Sequence, residues 1–435
     1  MTLHHKFNNL ITRIFSHGLT GAAIASFLLI SSCKKDDTPQ LPTLKTETYT
    51  SSTLNLTYAD ELMPGKSVRI TVDEADAAKA KMTLFSRFDL SQLSGMGLSG
   101  DIAGPGVIPG SPELTIPIVL SPGEGCYNFS GNYTTSDFSF SYYGKIDSEK
   151  LTLSIRDGQL AGDIFSGKVF IPAPIKKDGL LDYSSFPFHL VWELDPVAGI
   201  DIPLSDLLKL VAAAPIIPVY NNTAYMSIAQ AYYNVVKTIS LNRDGNIPVI
   251  YISTLGGAAH LATTTGNMLQ YVPAGQGIKL FVNPLSAVSE ILLALSKPQT
   301  DAEFVTKSMG ENNDGEYFSN LKDDGIDPTI KVALLKSLIT TITPQLSDGI
   351  PLEVNVTQSG ADIYFNTQTS IVFLSNLLKN MMDNPVILTA LKEYLASLDL
   401  PQLPESDLEA VLSQLPSFLE KTTRLEIGLS MMDKK

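Results

Sequence analysis

Phe138-Ser139-Phe140-Ser141-Tyr142 and, across Asp147-Ser148-Glu149-Lys150, Leu151-Thr152-Leu153-Ser154-Ile155 decide the fold of the first half of this chain. Large apolar side chains alternate with small polar ones, and a period of two puts them on opposite faces of a strand. The alternation continues outward in both directions. Upstream it is carried by Leu54, Leu56 and Tyr58, by Val68, Ile70 and Val72, and by Leu114, Ile116, Ile118 and Leu120. Downstream it returns in Phe188, Leu190, Trp192 and Leu194. Pro64-Gly65-Lys66, Asp157-Gly158 and Asp178-Gly179 punctuate the runs as turns. About eight or nine strands between residues 46 and 200 imply an antiparallel β-barrel or sandwich.

Near residue 205 the period changes. Ser205-Asp206-Leu207-Leu208 reads as a helix start with Ser205 as its cap. Helical spacing follows at about 222–238, 285–297, 329–343, 369–382, 386–397 and 406–420. Strand-like runs at 248–253, 268–273, 278–283, 350–357, 361–366 and 423–431 lie between, so residues 201–435 read as an α+β domain. Within it, Gly277-Ile278-Lys279-Leu280-Phe281-Val282-Asn283 matches Gly360-Ala361-Asp362-Ile363-Tyr364-Phe365-Asn366. Each copy follows a strand and precedes an apolar helix, and Asp244-Gly245-Asn246-Ile247-Pro248 resembles Asp348-Gly349-Ile350-Pro351. The pattern implies a duplicated helix-hairpin-helix unit. Chance similarity of two common ββα units is the alternative.

Residues 1–32 carry Lys6 and Arg13, no acidic residue, and an apolar stretch from Ala22 to Ile30 that ends in Ser31-Ser32-Cys33. That is the charge, apolar core and small-residue order of a secretory signal, and the core is far short of the roughly 20 residues that span a bilayer. Ile30-Ser31-Ser32-Cys33 resembles the lipobox of a bacterial lipoprotein, which implies that Cys33 is acylated. Two or more acyl chains make a stable anchor where one binds marginally. Lys34 stands where an aspartate would signal inner-membrane retention, so outer-membrane attachment is expected. Residues 33–45 read as the lipidated tether.

The lipobox, the Lys34-Lys35-Asp36-Asp37 tract, the β-rich front and the helix-and-hairpin back together resemble the uncharacterised lipoproteins of about this length from gut Bacteroidota. The charged tract is similar to their surface-export signal, and the front half to the calycin-like barrels common among them. The resemblance implies a place and a fold. It carries no catalytic residues.

Composition narrows the chemistry. The 435-residue chain has a net charge of −14; the leader holds two basic residues and no acidic one, so its removal makes the balance −16. That excess repels phosphate backbones and argues against nucleic acid as a partner. With Cys33 committed to lipid, Cys126 has no intramolecular disulfide partner. Past the leader only His189 and His260 remain, neither with a second ligand at metal spacing, so no metal or cofactor is expected. His189 lies one residue off the Phe188, Leu190 and Trp192 face and reads as a solvent-side strand residue. Gly95-Met96-Gly97-Leu98-Ser99-Gly100 fits a dinucleotide fingerprint but runs into Asp101-Ile102-Ala103-Gly104-Pro105-Gly106, which starts no helix. The acidic stretches 311–316 and 323–327 lack EF-hand spacing.

No Gly-x-Ser-x-Gly elbow is present, while paired carboxylates are a three-dimensional matter that sequence leaves open. Tyr133, Phe138, Phe140, Tyr142 and Tyr143 cluster on neighbouring strands, and Tyr232 with Tyr233 lies on a helix. Such stripes are core, or they line a site for an apolar ligand or a sugar ring. The expectation is a lipid-anchored, non-enzymatic binder of an apolar small molecule or lipid. A glycan-binding accessory protein comes second and a carboxylate-dependent hydrolase third.

Overall fold

The computed structural model describes residues 41–89, 100–162, 165–174, 176–177, 180–181, 186–194, 204–213, 215–219, 224–253, 260–286, 343–382 and 417–434. The leader, Cys33, the glycine run 95–99, both acidic stretches and most of the helical spacing at 285–297, 329–343, 386–397 and 406–420 lie outside them. The chain forms two compact units, the first reaching Gln159 and taking in a short segment from Asn283, the second holding the rest.

Unit 1 contains β1 (Glu47–Thr50), β2 (Leu54–Tyr58), β3 (Glu61–Leu62), β4 (Lys66–Val72), β5 (Lys79–Asp89), β6 (Asp101–Ala103), β7 (Glu113–Val119), β8 (Ser121–Pro122), β9 (Tyr127–Thr134), β10 (Phe138–Ile146) and β11 (Leu151–Leu160). One sheet has the order β1-β4-β5-β6, with β7 also on β5; the other runs β3-β2-β11-β10-β9-β8. The alternating rows do what their period requires. Val68 and Ile70, Met82 and Leu84, and Ile116 and Ile118 are buried in the first sheet. Leu56 and Tyr58, Phe138 and Phe140, and Leu151, Leu153 and Ile155 are buried in the second. Each sheet therefore has one buried and one open face, as the sheets of a sandwich do. One pairing departs from the antiparallel expectation: β11 runs parallel to β2, Leu153 beside Leu56.

Unit 2 holds β12 (Lys168–Pro172), β13 (Lys176–Lys177), β14 (Leu180–Leu181), β15 (Phe188–Leu194), α1 (Leu204–Ala213), β16 (Pro215–Val219), β17 (Ala224–Ser227), α2 (Ile228–Val235), β18 (Val236–Leu241), β19 (Val249–Ser253) and β20 (His260–Thr263). It continues through β21 (Leu269–Ala274), β22 (Gly277–Val282), β23 (Ile350–Val356), β24 (Gly360–Phe365), α3 (Thr367–Met382) and β25 (Thr422–Asp433). Ten strands make one sheet in the order β20-β19-β18-β12-β25-β24-β23-β22-β21, with β15 also on β25.

This sheet curls. At its far end the Tyr271 amide donates to the Gly245 carbonyl and the Ile247 amide to the Leu269 carbonyl, so β21 returns to the connection between β18 and β19. The enclosed end is filled by Phe165, Phe170, Leu241, Ile247, Tyr271, Ile278 and Met431.

The described residues are thus mostly antiparallel sheet with a few short helices; most of the helical spacing expected within residues 201–435 lies outside them. The helical stretch placed at 222–238 divides into β17, α2 and β18. Val235, Val236, Thr238 and Ile239 explain the change, since β-branched side chains fit a pleated sheet better than a helix. Ser205 is not a cap. It lies inside α1, where its hydroxyl accepts from the Trp192 amide at 2.7 Å and donates to the Trp192 carbonyl at 3.2 Å. The two matched segments form neighbouring hairpins, β21–β22 and β23–β24, joined by β22 pairing with β23. Their closing asparagines act alike: Asn283 Oδ1 accepts from the Leu285 amide, and Asn366 Oδ1 from the Thr369 amide. No described helix is long and apolar enough to cross a membrane.

Candidate functional site

Strand β25 organises unit 2, and its alternation separates two chemistries. Leu425, Ile427, Leu429 and Met431 point to one side; Arg424, Glu426, Gly428 and Ser430 point to the other. Register extends both rows onto the neighbours. Phe188, Leu190 and Trp192 of β15 stand beside Leu429, Ile427 and Leu425, while His189 stands beside Gly428 and Glu193 beside Arg424. On β24, Asp362 pairs with Ser430 and Tyr364 with Gly428.

The apolar side is roofed by helices. Trp192 and Leu425 pack with Leu204 of α1 and with Phe418 and Leu419, while Leu194, Ile427, Ile371 and Leu374 stay half-buried around them. Next to this cluster, Phe186 packs with Ala212 of α1 and Ala229 of α2, and Phe188, Leu190 and Tyr233 are again half-buried. Helix α2 is fixed by a capping box: Ser227 Oγ accepts from the Gln230 amide and Gln230 Oε1 accepts from the Ser227 amide. That anchoring sets Tyr232 with its ring centroid 5.2 Å from that of Phe188. The Tyr232 hydroxyl is buried and finds no hydrogen-bond partner among the described residues. Burial pushes its pKa upward, so it is protonated at any ordinary pH and available as a donor.

The polar side is a connected network. His189 Nε2 lies 2.7 Å from Glu426 Oε2, and His189 Nδ1 forms a longer ion pair, 3.6 Å, with Asp362 Oδ2. Ser430 donates its hydroxyl proton to Asp362 at 2.6 Å. Arg424 donates through Nε and Nη2 to the two oxygens of Glu426, at 2.8 and 3.1 Å, and through Nη1 to Glu193 at 3.3 Å. The His189 ring stacks on Tyr364, centroids 4.3 Å apart, across Gly428. A Cβ at Gly428 would collide with the Ile363 carbonyl and the Tyr364 Cβ, so only glycine lets these strands carry both rings there.

Burial alone would lower the His189 pKa, but Asp362 and Glu426 outweigh it and the net shift is upward. Burial would raise both carboxylates, and their partners again win: His189 and Ser430 hold Asp362 low, and Arg424 and His189 hold Glu426 low. Chemically the order of groups is hydroxyl, carboxylate, imidazole, carboxylate, guanidinium. In a nucleophilic relay the imidazole touches the hydroxyl; here Asp362 stands between them. No group of three or more His, Cys, Asp or Glu side chains is arranged to hold a metal ion among the described residues.

The aromatics singled out by sequence do not share one surface. Phe138, Phe140 and Tyr142 are interior, and Tyr133 is half-buried with its ring 6.1 Å from Phe140. Tyr143 faces the other way, 54% exposed, its hydroxyl 3.4 Å from Asn128 Oδ1. Cys126 is buried and forms no disulfide. His260 is exposed on β20. His189 lies off the apolar face as its position implies, yet it is only 17% exposed and clamped between two carboxylates. Those partners are 173 and 237 residues away in sequence, too far for any local pattern to pair them.

The chain matches no family model, no curated protein and no solved structure.

Proposed function

We propose that this protein is a lipid-anchored envelope protein that binds an apolar small molecule or lipid and does not transform it. Acylation of Cys33 and the tether to residue 45 hold it at the outer membrane, on the periplasmic or the surface face. The binding site in this reading is the helix-roofed side of β15 and β25. The observation that carries it is the Tyr232 hydroxyl, a donor left unsatisfied against Phe188 in an apolar layer where Phe188, Leu190 and Tyr233 are half-buried. Such a group costs about 1 to 3 kcal/mol unless something accepts its proton. A ligand with an apolar body and one acceptor group supplies both the missing contact area and the missing bond.

Two finer features belong to the same reading: a calycin-like relationship of the front unit, and descent of the two hairpins from one duplicated helix-hairpin-helix unit. The paired roles of Asn283 and Asn366 support the second. A surface glycan-binding role is favoured by one observation, exposed Tyr143 on the open, polar face of the six-stranded sheet. Organic extraction and mass spectrometry of the chain carrying Cys33→Ser separates the readings. A co-purifying lipid or apolar metabolite is expected. An empty extract, together with binding on a glycan array that Tyr143→Ala abolishes, would transfer the assignment to the sheet surface.

A further inference from the structure

The polar network on the far side of β25 serves none of the binding proposed above, and it joins three strands through one imidazole. We propose that His189 is a proton-operated latch that holds β15, and with it α1, against the curled sheet. The geometry is specific. β15 is tied to the sheet by its ladder to β25, and His189 adds one carboxylate contact on β25 and one on β24. α1 follows through Ser205, whose hydroxyl bonds to the Trp192 backbone, and through Leu204 packed on Trp192. Deprotonation of His189 leaves one imidazole hydrogen for two carboxylates, so one of the two contacts loses its donor.

Among the described residues, the charged or titratable groups facing His189 from the adjoining strands are Glu193 on its own strand, Asp362 and Tyr364 on β24, Arg424 and Glu426 on β25, and Glu353 on β23 beside Tyr364. Arg424 occupies Glu426 and Glu193, which leaves Asp362 as the carboxylate most dependent on the imidazole charge. The direction follows by linkage. A histidine raised in the folded state contributes fully below its unfolded value near 6.5, and its contribution is lost as pH climbs through the raised value. The lowered Asp362 and Glu426 contribute above the ordinary carboxylate range and lose their contribution in acid. The latch is therefore tightest in mildly acidic solution and loosens as pH rises through the raised His189 value.

The chain carries its own reporter. Trp192 is the single tryptophan, lies three residues from His189, and donates its indole proton to Thr422 Oγ1 at 2.9 Å. Acrylamide quenching of its fluorescence, followed from pH 5 to 9 on the Cys33→Ser chain without added ligand, tests the latch. Quenching is expected to rise about twofold or more as β15 loosens, with a midpoint above 6.5, and to be independent of pH in His189→Gln. Asp362→Asn should move the midpoint down by about one pH unit, which keeps the test decisive should His189→Gln fail to fold. Flat quenching in the unsubstituted chain, the same transition in His189→Gln, or an unmoved midpoint in Asp362→Asn would overturn the proposal. None of these readings depends on what the protein binds.

Discussion

Two tyrosines of unit 2, one on strand β21 and one on helix α2, have opposite fates. At the closed end Tyr271 is fully buried, and its hydroxyl donates to the Asn242 carbonyl at 3.1 Å. At the helix-roofed end the Tyr232 hydroxyl is equally cut off from solvent and donates to nothing described. The first is a finished core, in which apolar packing and polar satisfaction agree. The second has apolar packing without polar satisfaction, and in the function proposed above a ligand supplies the missing acceptor.

Truncation should separate the ends most strongly. Tyr271→Ala removes a ring packed among Phe170, Ile278 and Met431 and is expected to cost about 3 to 5 kcal/mol in chemical denaturation. Tyr232→Ala should cost about 2 kcal/mol or less, because Tyr232 is only half-buried and no hydrogen bond is lost. Equal costs would mean that the roofed end is core like the other.

The comparison extends to ionisable groups. Lys66 in unit 1 is buried, and its ammonium donates only to carbonyls, those of Pro105 at 2.6 Å and Gly106 at 3.0 Å. Gly106 lets its own stretch of chain pass against Ser111, since a Cβ there would collide with the Ser111 carbonyl. With no carboxylate among the described residues to offset burial, the Lys66 pKa falls to about 7, whereas His189 between two carboxylates moves the other way. Desolvation acts on both, and the charge of the partner decides the sign. Between pH 7 and 10.5 the unfolded lysine binds the proton that the folded one has shed, so unit 1 gains stability as pH rises through that range. The slope should approach about 1.4 kcal/mol per pH unit and vanish in Lys66→Met. A flat profile in the unsubstituted chain would show the amine charged and satisfied.

Much of this was legible in the sequence, and the limit has a physical cause. Burial alternates along β5, β10 and β11 as residue period predicts, because a half-buried strand writes its two faces into neighbouring residues. The strand pairs of 269–282 and 350–365 were legible for the same reason. Long-range pairing was not. Nothing local says that Leu54–Tyr58 lies parallel to Leu151–Ile155, or that Phe188–Leu194 joins the last strand of the chain. The polar row Arg424, Glu426, Ser430 is visible in the alternation, but its meaning needs His189 and Asp362 beside it. Ser227-Ile228-Ala229-Gln230, the capping box that positions Tyr232, was readable, and the β-branched residues after it were the signal that the helix is short.

The smallest change to either tyrosine is the most discriminating. Tyr271→Phe should lose about 1 kcal/mol, the worth of its hydroxyl's bond to the Asn242 carbonyl, which keeps the Gly245 amide as a donor. Tyr232→Phe should leave stability unchanged or raise it by up to about 1 kcal/mol, because it deletes a hydroxyl with nothing to bond. Both are read as urea midpoints at constant denaturant slope.

The direct test of the binding claim is native mass spectrometry of the Cys33→Ser chain and its Tyr232→Phe variant. The account predicts an added mass of lipid or apolar-metabolite size on the first and about a tenfold lower occupancy on the second, the loss of one hydrogen bond. An adduct retained equally by both, or a bare chain in both, would contradict it.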